Sequence, residues 1–297
     1  MTTKLARDAQ EDSRGRLSRL RRQAVVSRFV AQRLPMMSLG IIVLVVAMAI
    51  FAPLLARYPF ASGDLTQTLQ GPSGAHWLGT DDVGRDVLSR MLFGARTTLL
   101  AALEATSLAV VLGVPAGLIA SFLGGWVDAA MSRVADAVMT FPALLLAVII
   151  VGISGPGLTN AMVAIGVVYA PRLFRIARAA GLGVLNETYV SAARTIGCSR
   201  TRIMLRHVLP NALSPLLVQI TLTLATAALA EGSLSFLGLG VQPPQASWGA
   251  LLGRGVPYMS AQPIPVIAAG LAISILVLSF NLVGDGLRDS IGRERRS

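Results

Sequence analysis

"AVMTFPALLLAVIIVGISGPGLTNAMVAIGVVYAP" (residues 137–171) contains no Asp, Glu, Lys or Arg. As one helix it would be about 52 Å long at 1.5 Å per residue, well beyond a hydrocarbon core of about 30 Å. Its centre, "GISGPGLTN" (152–160), holds four glycine or proline residues, the strongest local breakers of helix. The run therefore reads as two membrane spans, at roughly 131–151 and 160–180, and that parity decides the topology of the whole chain.

Working outward, 34–56 is uncharged and bracketed by Arg33 and Arg57, long enough to cross a bilayer. A second span lies within 97–127, whose only charge is Glu104, and ends near Gly124-Gly125. A fifth is expected over 211–230, and a sixth in the last part of the uncharged run 255–284, after Pro263 and Pro265. Basic residues then set the orientation. Residues 1–33 hold nine Lys/Arg against three acids, and 172–210 hold seven arginines against Glu187. By contrast, 58–96 carries three arginines and four aspartates, and 233–262 only Arg254. Lys and Arg concentrate in cytoplasmic loops. Six spans with both termini inside satisfy this bias, whereas reading 137–171 as one span would put the seven-arginine loop outside. The predicted fold class is an all-α polytopic membrane protein with six transmembrane helices and cytoplasmic termini.

Composition excludes several other readings. The chain is 54% hydrophobic and only 14% charged over 297 residues, too poor in charge for an ordinary soluble domain. Its net charge of +11 is distributed among apolar spans, which favours membrane topology and lipid contact over nucleic acid. One cysteine, Cys198, and two distant histidines, His76 and His207, offer neither a disulfide framework nor a His/Cys metal site. The single lysine, Lys4, has no glycine-rich context, so no Walker motif for ATP is present. The basic N-terminal tail contains Arg21-Arg22, but the apolar run from residue 34 is longer than a signal-peptide core and predicts an uncleaved anchor. Leu17, Leu20, Ala24 and Phe29 form a candidate face for the inner leaflet; a solvated tail that only fixes orientation is the alternative.

The arginine-studded stretch "YVSAARTIGCSRTRIMLRHVLPN" (189–211) reads as two short helices at a bend. Tyr189, Ala193 and Ile196 make an i, i+4, i+7 apolar stripe, with Asn186 or Thr188 available as N-cap. Gly197 is expected to end the first helix, Ser199 to cap the second, on which Ile203 and His207 share a face, and Pro210 to close it before the fifth span.

This stretch resembles the EAA loop of ABC importer permeases, a pattern of E-A-A, three residues, Gly, nine residues, an apolar residue, any residue and Leu-Pro. The match runs through Ala192, Ala193, Gly197, Leu209 and Pro210; Ser191 stands where Glu is usual and His207 where Ile is usual. "HWLGTDDVGRDVLSRMLFGARTTL" (76–99), "LSFLGLGVQPPQASWG" (234–249) and "GDGLRD" (284–289) are similar to the C-type permeases of the peptide/nickel branch. The resemblance implies a type I importer permease fold and a subunit that translocates dipeptides, oligopeptides or a related small solute across a bacterial plasma membrane. It implies an ATPase-coupling loop containing Tyr189, Ser191, Ala192, Ala193, Gly197, His207, Leu209 and Pro210. The implied partners are a homologous B-type permease, two ATPase subunits and an extracytoplasmic substrate-binding protein. This chain itself is expected to be non-catalytic and to bind no cofactor, ATP and Mg belonging to the ATPases. The implied division is a basic tail at 1–33, a first helix and outer loop at 34–96, a permease core at 97–285 with its coupling loop at about 181–210, and a tail at 286–297.

Other residues admit two readings each. Asp81, Arg85 and Asp86, with Asp82 and Arg90, form either a loop locked by local ion pairs and turns at Gly79 and Gly84 or part of a docking surface for the binding protein. Glu104 lies at membrane depth, either paired with Arg96 among headgroups or on a translocation path. Glu231 is either a gate residue or a helix-end carboxylate held by backbone amides. Arg172, Arg175 and Arg178 make a basic stripe expected to snorkel to phosphate. Pro115 and Pro142 are expected to kink their spans. A rival function is a secondary transporter that uses Glu104 or Glu231 as its proton site; an intramembrane enzyme lacks any nucleophile–base constellation.

Overall fold

The computed structural model describes residues 26–292. The amphipathic face expected at Leu17, Leu20 and Ala24, and the end of the C-terminal tail, lie outside them. Among the described residues the chain is helical, with one isolated β-bridge between Thr80 and Asp86. Helix α1 (Arg33–Leu55) is followed by a long loop, and α2 (Val87–Leu123) begins where the Asp86 carboxylate accepts the Ser89 N–H at 2.7 Å. Gly124, at φ +62°, ends α2 and Gly125, at φ +55°, opens the next helix, a pair of positive-φ residues that glycine adopts without a Cβ clash. Then come α3 (Gly125–Thr140), α4 (Ala143–Ser154), α5 (Leu158–Leu185), α6 (Thr188–Thr195), α7 (Arg200–Ile203), α8 (Leu209–Phe236), α9 (Trp248–Gly255) and α10 (Ile264–Gly292).

Among the described residues four helices are long and apolar enough to cross a membrane: α1, α2, the continuous stretch Thr201–Phe236, and α10; a fifth is counted if α3 and α4 form one broken span. The expected span at 131–151 with its kink at Pro142 falls on that pair, whose two halves meet at 91°. The cause is local. A residue preceding proline is pushed out of the helical region, and Phe141, before Pro142, is extended at φ −84°, ψ 141°. The break expected at 152–160 is present, α4 ending at Ser154 and α5 starting after Gly157. α5 carries three arginines in its second half, which is why it falls short of the apolarity of the other long helices.

α2 and α5 form the tightest helix pair. A Cβ at Gly113 would lie 2.9 Å from the Leu173 Cβ and one at Gly117 2.8 Å from the Ala177 Cβ, so the Gly-x-x-x-Gly spacing is what lets the two backbones meet. The interior is made largely of small residues, Ala101, Ala102, Ala105, Ala161, Ala164, Ala225, Ala227 and Ala228 among them. Bulky side chains point outward instead, such as Leu54, Val134 and Ile153 at 81%, 65% and 85% exposure. This inversion suits a lipid surround, in which close van der Waals packing of small residues holds helices together and large apolar groups need no burial. α8 runs from the end of the bundle that carries 186–208 to the opposite, loop-rich end, where Gly157 N–H donates to the Leu239 carbonyl at 3.0 Å.

Candidate functional site

At the 186–208 end, α6 stops as expected at Gly197. Its φ is +80°, and Gly197 N–H and Cys198 N–H donate to the carbonyls of Arg194 and Ala193, both at 3.0 Å. This is a Schellman cap, which needs a left-handed residue at its turn. The N-cap is Glu187, with no side-chain hydrogen bond, so neither Asn186 nor Thr188 fills that role. The predicted stripe is also corrected. Val190 and Ala193 face inward, whereas Tyr189 and Ile196 are 45% and 80% exposed. Ser191, Ala192, Ile196 and Gly197 thus form an open surface.

Ser199 sits near its expected role, its Oγ 3.4 Å from the Arg202 N–H. Ile203 is buried while His207 is half-buried, its ring 5.9 Å from that of Tyr189. Asn211 joins them, donating to the His207 carbonyl at 2.6 Å and lying 3.4 Å from the Tyr189 hydroxyl. Partial burial raises the pKa of that hydroxyl, with Glu187 adding to the effect. Pro210 does not close the helix. Met204–Val208 is a π turn leading straight into α8, the Leu209 N–H bonding the Met204 carbonyl. Proline clashes with the carbonyl four residues back and offers no N–H; a single widened turn absorbs both defects without a break.

The loop-rich end is built around charge that is buried, not solvated. Asp81, Arg85, Asp86 and Arg90 are 6%, 5%, 5% and 1% exposed. Asp81 takes the Arg85 Nε at 2.7 Å and lies 3.4 Å from the Arg90 Nε, while its other oxygen accepts the N–H groups of Val83 and Arg85. Asp86 accepts from His76 Nδ1 at 2.9 Å as well as capping α2. Arg90 reaches the carbonyls of Phe60, Pro244 and Gln245 at 3.0, 3.5 and 3.4 Å. Gly79 and Gly84 turn at φ +78° and +74°. These side chains are therefore committed to joining the loop before α2 to the segment before α9. Trp248 completes the joint, its indole N–H donating to the Met91 carbonyl at 2.9 Å.

Glu231 is 0% exposed and held by hydroxyls rather than backbone amides: Ser235 Oγ at 2.7 Å and Thr98 Oγ1 at 3.0 Å. Glu104, midway along α2, is exposed and makes no ion pair with Arg96. The arginine stripe of α5 is not free either. Arg175 bonds Asp136 at 2.5 Å and Arg178 chelates Asp128, both acids belonging to α3. Arg172 differs, lying 5.6 Å over the Tyr169 ring. Pro115 is inside α2, and Pro142 is at the 91° break.

Sequence reasoning missed Thr98 and Ser235. The serine is one helical turn from Glu231 and is readable from the i, i+4 spacing, but Thr98 is 133 residues away with no local signal. Among the described residues no group of three His, Cys, Asp or Glu side chains is placed to hold a metal ion.

Comparison with known proteins agrees with this architecture. Residues 113–297 match the binding-protein-dependent transport system inner membrane component family, and 21–72 match the N-terminal TM domain of oligopeptide transport permease C. The chain is 41% identical to the dipeptide transport system permease protein DppC of Alkalihalophilus pseudofirmus over 89% of this chain and 87% of that protein. It is 38% identical to the oligopeptide transport system permease protein OppC of Bacillus subtilis over 98% and 95%. Among solved structures, a chain of the MetNI methionine ABC transporter in an inward-facing conformation shares the fold with a TM-score of 0.56, at 22% identity, covering 69% of this chain and 96% of that one. The chain belongs to the binding-protein-dependent transport system inner membrane component family, as a DppC/OppC-like peptide ABC permease.

Proposed function

We propose that this chain is the permease subunit of an ATP-driven importer of dipeptides, oligopeptides or a related small solute, spanning the bacterial plasma membrane six times with both termini cytoplasmic. The sixth span in this reading is α5, supplementing the four long helices and the broken pair α3–α4. Residues 186–208 then lie on the cytoplasmic side with the arginine excess, and the loop-rich end faces outward. The subunit is non-catalytic: ATP and Mg are used by two ATPase partners, a homologous B-type permease completes the pore, and an extracytoplasmic binding protein delivers cargo.

The observation that carries this reading is the open face of α6, joined by the short bend at Gly197–Ser199 to a membrane helix. Ser191, Ala192, Ile196 and Gly197 are exposed, and the helix from Thr201 runs without interruption to Phe236, past Glu231. Closure of the ATPases against α6 therefore acts, through the bend at Gly197–Ser199, on a helix that reaches the far side. A transport cycle needs only that the two conformations differ in their contacts with this face. The relatives' named substrates, dipeptides and oligopeptides, support the peptide assignment. The test is uptake in proteoliposomes bearing the complete complex. Uptake that requires ATP and survives a protonophore is expected; uptake that ignores ATP and collapses with the protonophore would establish the secondary-transport alternative at Glu104 or Glu231.

A further inference from the structure

Arg172 sits fourteen residues into the 28-residue helix α5, about 21 Å from its start, at the level of the middle of α8. It lines an open cleft of about 460 Å³ between α3, α5, α8 and α10, together with Gln219, Thr226 and Asn281. Arg175 also borders the cleft, but its charge is matched by Asp136. Arg172 has no carboxylate within ion-pairing distance among the described residues; its recorded contact is the Tyr169 ring. Opposite it stand neutral amides and a hydroxyl. The cleft therefore carries one uncompensated positive charge, in a region where an ionisable group is expensive unless it faces a polar cavity and a counter-ion. Its volume lies within the range of small-molecule sites, and a guanidinium with neutral amide neighbours matches an oxyanion, which it binds in a bidentate manner.

We propose that this cleft is a transient anion subsite on the translocation route, in which Arg172 receives the C-terminal carboxylate of peptide cargo while Gln219, Thr226 and Asn281 bond its polar backbone. The proposal rests on the importer reading given above. A lipid phosphate offers related oxyanion chemistry, so the experiment separates the two sources.

The variant Thr226→Cys, in a chain carrying Cys198→Ser and assembled with cysteine-free partners in phosphatidylcholine nanodiscs, reports the local charge directly. Rates of modification by anionic and cationic methanethiosulfonates, each normalised to free thiol, are compared. The expected result is a preference for the anionic reagent that falls about tenfold in Arg172→Gln and is kept in Arg172→Lys. Millimolar alanyl-alanine should slow modification while its C-terminal amide does not. No preference, or one indifferent to Arg172→Gln, overturns the subsite. Slowing by added phosphatidylglycerol but not by the dipeptide assigns the site to lipid and overturns the cargo role. In the complete transporter, Arg172→Gln should cut uptake at least tenfold while binding-protein-stimulated ATP hydrolysis persists; full uptake overturns the route assignment. If the wild type shows no ATP-driven uptake yet the charge preference and dipeptide protection hold, the importer reading fails and the carboxylate subsite stands.

Discussion

Replacing Gly197 isolates one physical term. The residue adopts φ +80°, and a Cβ there would meet nothing within 4 Å, so no neighbour has to move. What remains is the backbone cost of a left-handed L-residue, roughly 1–2 kcal/mol, smaller for Asn and larger for a β-branched side chain. A cost of that size shifts the balance between capped and uncapped α6 about 5- to 30-fold. It also releases the two 3.0 Å hydrogen bonds to the carbonyls of Arg194 and Ala193. Coupling should therefore decline in the order Gly, Asn, Ala, Val, read as solute taken up per ATP hydrolysed in proteoliposomes. Assembly, read by size-exclusion chromatography of the complex, should stay unchanged because the position is open. Gly183→Ala is the control: that glycine lies in α5 with equally open space and no positive φ, so it should be silent. Wild-type coupling in Gly197→Val would refute the argument that the cap geometry is what transmits the motion.

Three further outcomes are expected. Gly113→Leu should lower the melting temperature of the detergent-purified subunit, because the new side chain is driven into the Ala170 carbonyl and Leu173, an overpacking cost of roughly 1–3 kcal/mol or more; an unshifted transition would mean α2 and α5 do not pack as described. Arg90→Met takes their donor from three carbonyls at a buried joint and leaves Asp81 to Arg85 and two backbone N–H groups, costing about 1–3 kcal/mol, and protease cleavage in the 56–86 loop should accelerate; equal cleavage rates would show the network to be dispensable. Ser191→Glu places a carboxylate on the exposed face of α6 and should tighten binding to the ATPase subunit by about 0.5–1.5 kcal/mol, measured by titration; weaker binding would show that the serine has a different complement on the partner.

Much of this architecture was legible because breakers and charge act locally. Gly124-Gly125, the glycines flanking Pro156, and Gly197 all mark helix boundaries where the sequence places them. Hydropathy is blind to direction, however, so the sequence marks a kink at Pro142 inside one span but not that the turn at Phe141–Pro142 is as sharp as 91°. Pro210 misled in the opposite sense: the rule that proline ends a helix assumes four-residue hydrogen bonding, and one π turn removes the assumption. The stripe Tyr189, Ala193, Ile196 had the right period and the wrong phase, since Val190 supplies the apolar contact and a helix with only two turns leaves its phase to tertiary packing. Least readable were long-range polar pairings. Nothing near Glu231 announces Thr98, and nothing near Arg178 announces Asp128, because such pairs are made by helix packing and not by spacing.

The continuity of Thr201–Phe236 has a mechanical corollary. Glu231 is thirty residues from Thr201, about 45 Å along the axis, and is pinned to α2 through Thr98. A rod held near one end and pushed at the other swings; it does not slide. With Glu231 as fulcrum, a rotation of about 5° would sweep the Thr201 end through about 4 Å, using the same helical rise. The widened turn at Met204–Val208 is then the compliant element of the lever, and its stiffness sets how much of the stroke reaches the pivot.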